Sequence, residues 1–255
     1  MSGSEVTASS CNDTATVIAV GVLAATLADI CHETLGHGLG CFSAGGHIVL
    51  LTSTWFRCSK GSALADVGGP MGNLIAGFVA VALLGHPRAS PTVRLLLLVS
   101  GALNLFWFTA QLTFESLSHR EDDWYWALHT GGILRAIGAL VGVGGYVLVG
   151  RLISTLNRKQ QGPNAHIIRM AYAAAATSAV IAGLMFRPEP FRSALEGFLM
   201  IGIAPLGLLG IARQASDAGS DSVPRSPLWI FVSAVIFGLF LLIQARGLGS
   251  TAAPG

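Results

Sequence analysis

Four ionisable residues lie close together in the first apolar run of the sequence: Asp29, His32, Glu33 and His37. A charged side chain inside a membrane helix costs roughly 2.5–3.5 kcal/mol on insertion scales, so a cluster in such a helix needs compensation. A divalent cation provides it, because the ion offsets the carboxylates and takes neutral imidazoles as ligands. The alternative is a set of polar side chains that satisfy one another between helices.

The spacing of the two histidines predicts a distorted helix. The zinc-hydrolase motif His-Glu-x-x-His places two histidines four residues apart on one helix face, and its glutamate activates water. Here His37 follows His32 by five residues, which is about 140° around a regular helix. Both imidazoles reach one ion only if the helix gains a residue locally. A π-bulge at Gly36 supplies it, since glycine tolerates the strained backbone.

The composition predicts an integral membrane protein. Of the 255 residues, 52% are hydrophobic and only 11% are charged, whereas a soluble domain has about 25% charged residues. The mean hydropathy of +0.64 agrees. This composition excludes a disordered chain, a collagen and a coiled coil. The net charge of +2 comes from scattered residues, without the basic run that a nucleic-acid partner requires.

Seven segments approach the length of about 20 apolar residues that a bilayer-spanning helix needs. They are 15–40, 67–84, 93–114, 127–150, 166–186, 194–211 and 228–244. The second and the sixth are short and contain glycine or proline, so six or seven helices are predicted.

The fold class is therefore an all-α polytopic membrane protein with one transmembrane domain over 15–245. A disordered N-terminus, 1–14, and a disordered tail, 246–255, flank it. The basic loop 151–165 favours a cytoplasmic position for that loop. With seven alternating spans, the N-terminus then lies on the cytoplasmic side as well.

One connection is unusual. The segment 41–58 is rich in β-branched and aromatic residues after a Gly-Gly pair, and it is too short to span a bilayer as a helix. A β-hairpin or a re-entrant piece packed against the helices fits it. Cys41 and Cys58 flank this segment and pair if it faces an oxidising compartment. Otherwise they are two small unpaired side chains.

The motif and its setting together resemble a known family. Residues 32–37 read HETLGH, the HExxGH form of the zinc motif in dipeptidyl peptidase III. The setting resembles the site-2 protease family of intramembrane zinc metalloproteases, in which the motif lies in a membrane helix and is followed by a glycine-containing hairpin and another helix. Here the segment 41–58 and then 69–74, GPMGNL, follow in that order. The resemblance covers residues 15–125, with the extra residue between the histidines as one departure.

The resemblance implies a Zn²⁺ ion held by His32, His37 and an aspartate from a later helix, with Glu33 as the general base. The family's later motif, an Asn followed by a Pro-rich stretch and Asp-Gly, is missing here. Asp122 or Asp123, where the fourth helix begins, is the best replacement for the third ligand, and Asp123 is preferred.

Two further residues receive roles in this reading. Asn104 stands where the family has its substrate-binding asparagine, so it is expected to bind the substrate backbone or an oxyanion. Asp29, one turn before His32, is expected to hold the tautomer of that histidine.

Each of these assignments has an alternative. Asp122 and Asp123 are also suited to a solvated loop or to an N-cap of the fourth helix. Asp29 is also suited to pairing with an intramembrane arginine such as Arg135. Three more histidines are suited to interfacial positions or to a fourth ligand: His47, His119 and His129.

The resulting functional hypothesis is an intramembrane zinc metalloendopeptidase of the bacterial cytoplasmic membrane. Its partners are membrane lipid and a transmembrane protein or peptide substrate, with no nucleic acid. The competing hypotheses are a transporter or scaffold with an intramembrane ion or proton site, and a degenerate protease that binds without cleaving.

Overall fold

The computed structural model describes residues 12–118, 122–128, 131–215 and 222–249. Within these ranges, seven helices are long and apolar enough to cross a membrane, which confirms the larger of the two predicted counts. They are α1 (Thr14–Ser43), α2 (Ala63–Leu84), α3 (Pro91–Ser118), α4 (Gly132–Lys159), α5 (Ala165–Leu184), α6 (Pro190–Gln214) and α7 (Pro227–Ala245). A short helix, Tyr125–Leu128, precedes α4.

Helix α1 is the central element, because it packs against α2, α3, α5 and α7. Asp13 caps its start, where the Asp13 carboxylate accepts hydrogen bonds from the backbone N–H and the hydroxyl of Thr16. Burial of apolar side chains from α1, α3 and α5 forms the main core. The helix that carries the candidate site is therefore enclosed on several sides by its neighbours.

The backbone of α1 widens into a π-helix over Ile30–His37, and this confirms the predicted distortion. The wide turn lies directly on the backbone of α2. A Cβ added at Gly36 would lie 2.5 Å from the carbonyl oxygen of Gly68, and one at Gly72 would lie 2.2 Å from that of Cys31. Only glycines permit this approach, which brings α2 close to the two histidines.

The predicted hairpin is present after α1. Strands β1 (Ile48–Leu51) and β2 (Phe56–Cys58) pair antiparallel, with an irregularity between Ile48 and Leu50. Strand β3 (Leu248–Gly249) pairs antiparallel with β1, which gives the order β2-β1-β3. Strand β3 belongs to the segment predicted as a tail, of which residues 250–255 lie outside the described ranges, as do residues 1–11 of the predicted N-terminus.

A disulfide joins Cys41 at the end of α1 to Cys58 in β2. The sequence did not decide whether these two cysteines pair, and the structure shows that they do. The bond ties the hairpin to the helix that carries the motif. Phe56, two residues before Cys58, is thereby held next to His37.

Candidate metal centre

The π-helical turn brings His32 and His37 together. Both side chains are buried, and their ring centroids lie 4.8 Å apart with the planes nearly perpendicular. Glu33 lies beside them and is also buried. One ligand atom from each of the three residues lies within 4.8 Å of those of the other two, which is close enough for a shared metal ion.

Asp123 completes the cluster from the loop between α3 and α4. Its Oδ2 lies 3.0 Å from Nε2 of His32, and its Oδ1 lies 3.4 Å from Nε2 of His37. Burial by itself would raise the pKa of the Asp123 carboxyl, but the neighbouring imidazoles of His37 and His32 hold it well below its usual range. The Asp123 carboxylate faces both Nε2 atoms.

Two side chains of α3 position this loop. Gln111 donates a hydrogen bond from Nε2 to Oδ2 of Asp123 at 2.7 Å. Glu115 accepts a hydrogen bond at Oε2 from the backbone N–H of Trp124, also at 2.7 Å. The first bond holds the side chain of Asp123, and the second holds the backbone of the next residue, Trp124.

The remaining ring nitrogens have partners that suit metal ligation. His37 donates from Nδ1 to the carbonyl oxygen of Ala65 at 2.7 Å, which leaves the Nε2 lone pair free for a ligand bond. Nδ1 of His32 accepts from Nδ2 of Asn73 at 3.0 Å. Oδ1 of Asn73 has no hydrogen-bond partner among the described residues. A 180° rotation of this amide places Oδ1 against a protonated Nδ1 and frees Nε2 of His32 as well.

Gly69 allows the backbone of α2 to lie directly against the two imidazoles. A Cβ at this position would lie 2.3 Å from Nε2 of His37 and 2.8 Å from Nε2 of His32. Zinc–ligand bonds are about 2.0–2.2 Å long, so two donors of one tetrahedral ion lie roughly 3–3.5 Å apart. The distances from the Asp123 oxygens to Nε2 of His32 and to Nε2 of His37, 3.0 Å and 3.4 Å, agree with this. The donor set, two imidazoles and a carboxylate, is also one that zinc binds.

Aromatic side chains hold both imidazole rings in place. His32 stacks on Trp107 of α3, with ring centroids 4.2 Å apart and the planes 15° from parallel. His37 stacks on Phe56 of the hairpin at 5.2 Å and 16°. The two imidazole rings are therefore fixed by side chains from two other elements, which would reduce the entropy lost on binding an ion.

Two predicted site residues lie elsewhere. Asn104 is buried, but its Nδ2 donates to the carbonyl oxygen of Ser100 and its Cβ faces Gly77. Oδ1 of Asp29 accepts from Nε2 of Gln244 at 2.8 Å. The role expected of Asp29 at Nδ1 of His32 is taken by Asn73, because α2 and not the preceding turn of α1 faces that nitrogen.

The two neighbouring aspartates of the loop before α4 have different positions. Asp122 is exposed and lines a cavity beside the site, whereas Asp123 points at the histidines. Of the two candidates for a third ligand, Asp123 is the one that lies beside the histidines.

Arg135 and His47 have hydrogen-bond partners outside the cluster of His32, Glu33, His37 and Asp123. Arg135 donates to the carbonyl oxygen of Ser116. Nδ1 of His47 pairs with the hydroxyl of Ser59 at the hairpin. His119 and His129 lie outside the described residues.

Gln244 of α7 was not anticipated. Its Nε2 donates to Asp29 and to the carbonyl oxygen of Thr52, and its Oε1 accepts from the hydroxyl of Thr34 in the π-helical turn. One side chain thus joins α7, the hairpin and the motif. The sequence offered a clearer signal for Asn73, which follows Gly69 by four residues and so shares its helix face.

The chain matches no protein-family model, no curated protein and no solved structure. The class of protein is therefore assigned from the helices and strands of this structure alone. The described residues form a multi-pass membrane protein of seven apolar helices with a small antiparallel sheet. Its buried cluster of two histidines and two carboxylates has donor atoms close enough together to hold a metal ion.

Proposed function

We propose that this protein is an intramembrane zinc metalloendopeptidase of the site-2 protease type, located in the bacterial cytoplasmic membrane. One observation carries the proposal. A π-helical turn inside an apolar, membrane-length helix sets His32 and His37 side by side, next to Glu33, and a loop brings Asp123 to both of them. This combination suits hydrolysis of a peptide bond inside a membrane.

His32, His37 and Asp123 would hold the zinc ion as three protein ligands, which leaves a position open for water or substrate. Bound zinc supplies Lewis acidity that lowers the pKa of water and polarises a carbonyl group. Asn73 and the carbonyl oxygen of Ala65 orient the two imidazoles, and Gln111 orients the aspartate.

Glu33 acts as the general base and then as the general acid. Its carboxylate takes a proton from the attacking water while the water oxygen bonds to the peptide carbon. The same proton then goes to the leaving nitrogen as the C–N bond breaks. Oε2 of Glu33 has no hydrogen-bond partner among the described residues, so this oxygen has a lone pair for the transferred proton.

The hairpin is suited to presenting the substrate. In the described sheet, β2 lies at an edge, and Phe56 of this strand stacks on His37. A transmembrane substrate that unwinds locally can add a strand to this edge by main-chain hydrogen bonds. Its extended backbone would then run past the metal centre.

Metal analysis of purified protein tests this function. We expect one zinc ion per wild-type chain and a loss of about 100-fold or more in zinc affinity for His37→Ala, since one of three ligands is removed. The matched control is His47→Ala, because this histidine pairs with Ser59 away from the centre. Inductively coupled plasma mass spectrometry after dialysis gives the stoichiometry.

The possible results separate the competing functions. A wild-type chain without zinc contradicts the proposal, and proton-coupled solute flux through such a chain indicates a transporter. A chain with one zinc ion that cleaves no membrane substrate indicates a degenerate protease.

The proposal includes an orientation in the membrane. Disulfides persist in oxidising compartments, and the Cys41–Cys58 bond lies where α1 ends. Helix α4 ends at Lys159, at the opposite end of the bundle if the spans alternate. The basic loop 151–165 then lies in the cytoplasm, and the metal centre opens toward the oxidising side.

Labelling of single cysteines tests this orientation. In a protein with Cys11 and Cys31 replaced by alanine, we expect a membrane-impermeant maleimide to label Lys60→Cys in intact cells or spheroplasts. Arg88→Cys, on the connection between α2 and α3, should react only after permeabilisation. Both positions are exposed and both changes remove one positive charge, so they form a matched pair. Labelling of the two in the reverse order would contradict the orientation.

A further inference from the structure

A cavity of about 270 Å³ adjoins the metal centre between α3 and α6. Two of its lining residues contact the centre directly. Trp107 stacks on His32, and Gln111 donates a hydrogen bond to Asp123. A group that occupies the cavity is therefore a close neighbour of whatever the centre binds.

The walls of the cavity combine apolar side chains with carboxylates. The apolar part includes Phe114 of α3 and Met200 and Ile203 of α6. The acidic part consists of Glu115, Asp122 and Glu196, and the described residues that line the cavity include no lysine, arginine or histidine. This combination suits a ligand with an apolar stem and a positively charged end.

Glu115 gives the strongest indication of such a ligand. Its side chain is only 3% exposed, and its Oε2 accepts the N–H of Trp124. Its Oε1 is buried and has no hydrogen-bond partner among the described residues. Leaving a buried carboxylate oxygen without a partner is costly, and a cationic group in the cavity removes that cost.

We propose that this cavity binds a lysine or arginine side chain of the substrate next to the scissile bond. This inference rests on the proposed peptidase function and names the substrate class. The cavity volume of about 270 Å³ lies just below the range of about 300–1,000 Å³ that is usual for ligand cavities, and it is sufficient for one lysine or arginine side chain. The stem lies along Met200 and Ile203, and the charged end pairs with Glu115.

Such a site makes the enzyme selective among membrane segments. Lysine and arginine are rare inside transmembrane helices, because burying their charge in lipid is unfavourable. A protein site that pairs the charge favours a substrate that carries one, because a substrate without it leaves Oε1 of Glu115 without a partner. Most apolar helices of the membrane are thereby excluded as substrates.

Binding of a peptide pair tests this inference separately from cleavage. The probe is a fluorescent 24-residue Leu/Ala peptide with a central Gly-X-Gly, in which X is lysine or norleucine. The receptor is full-length, zinc-loaded Glu33→Gln protein in detergent, which binds without cleaving. We expect the lysine peptide to bind about tenfold more tightly than the norleucine peptide in fluorescence anisotropy.

Three variants test whether Glu115 and the cavity cause the preference for the lysine peptide. Glu115→Gln in the same background keeps an oxygen to accept the Trp124 N–H, and we expect it to abolish the preference for lysine. Glu189→Gln removes a carboxylate that pairs with Arg192 at the surface, so it should leave the preference unchanged. Met200→Trp fills the cavity and should reduce binding of the lysine peptide to that of a peptide with glycine at X.

The outcomes are distinct. Equal affinities for the two peptides, or tighter binding of norleucine, overturn the inference. A preference that survives Glu115→Gln also overturns it. Selective lysine binding in a wild-type protein that cleaves neither peptide supports the cationic site but contradicts the proposed peptidase function.

Discussion

Replacing Glu33 with glutamine is expected to reduce cleavage of a membrane substrate by about 10²–10⁴-fold while the protein keeps its zinc. Glutamine has nearly the same shape as glutamate and fits the same buried position on the π-helical turn. It cannot take a proton from water at neutral pH, so the nucleophile is not activated. The zinc content is expected to remain, because His32, His37 and Asp123 are unchanged.

The rate is measured as the cleavage of a single-span substrate in proteoliposomes, with zinc content determined on the same preparation. Glu189→Gln is the matched control, since it removes a carboxylate at the surface near the start of α6. Full activity of Glu33→Gln would rule out Glu33 as the base. Loss of zinc together with activity would instead place Glu33 among the ligands.

Replacing Gly69 with alanine is expected to weaken zinc binding strongly, because the new side chain collides with both imidazoles. The new methyl group would lie 2.3 Å from Nε2 of His37 and 2.8 Å from Nε2 of His32, which is too close for the rings to keep the positions in which they face Asp123. The rings have little freedom to move away, because Trp107 and Phe56 stack on them. We therefore expect zinc affinity to fall by about 100-fold or more, as for the loss of a ligand.

Two other glycines serve as controls for this variant. Gly144→Ala in α4 places its methyl group in open space, so zinc content should be unchanged and the helix more stable by up to about 1 kcal/mol. Gly68→Ala would place a Cβ 2.4 Å from the carbonyl oxygen of Gly36, so it should separate α1 from α2 and destabilise the fold. Thermal unfolding and metal analysis distinguish these effects. A Gly69→Ala protein that still holds zinc tightly would contradict the assignment of these two imidazoles as zinc ligands.

The local features of this protein were predictable from the sequence. Apolar runs of membrane length predict spanning helices regardless of how they pack, because the bilayer sets the length and the backbone must satisfy its own hydrogen bonds. The irregular spacing of His32 and His37 predicts a wide turn, and Gly36 marks its place. The β-prone segment 41–58 likewise predicts the hairpin after α1.

Contacts between segments that are distant in the chain were harder to predict from the sequence. The choice between Asp122 and Asp123 depends on how a loop is held, and Gln111 and Glu115 of α3 hold it. Assigning Asp29 as the partner of His32 was reasonable along one helix but wrong in space, since Asn73 of α2 faces that nitrogen. The sequence also could not decide whether Cys41 and Cys58 pair, because spacing along the chain does not give the distance between two thiols.

The sequence by itself determined that the chain resides in a membrane and that His32, Glu33 and His37 belong to one distorted turn. These properties follow from hydrophobicity and helix periodicity, which act over a few residues. Only the tertiary structure decided that Asp123 faces both imidazoles and that Gly69 packs against them. Those results depend on the close approach of α1, α2 and α3, and each side chain's role there is set by a neighbour that is remote in the chain.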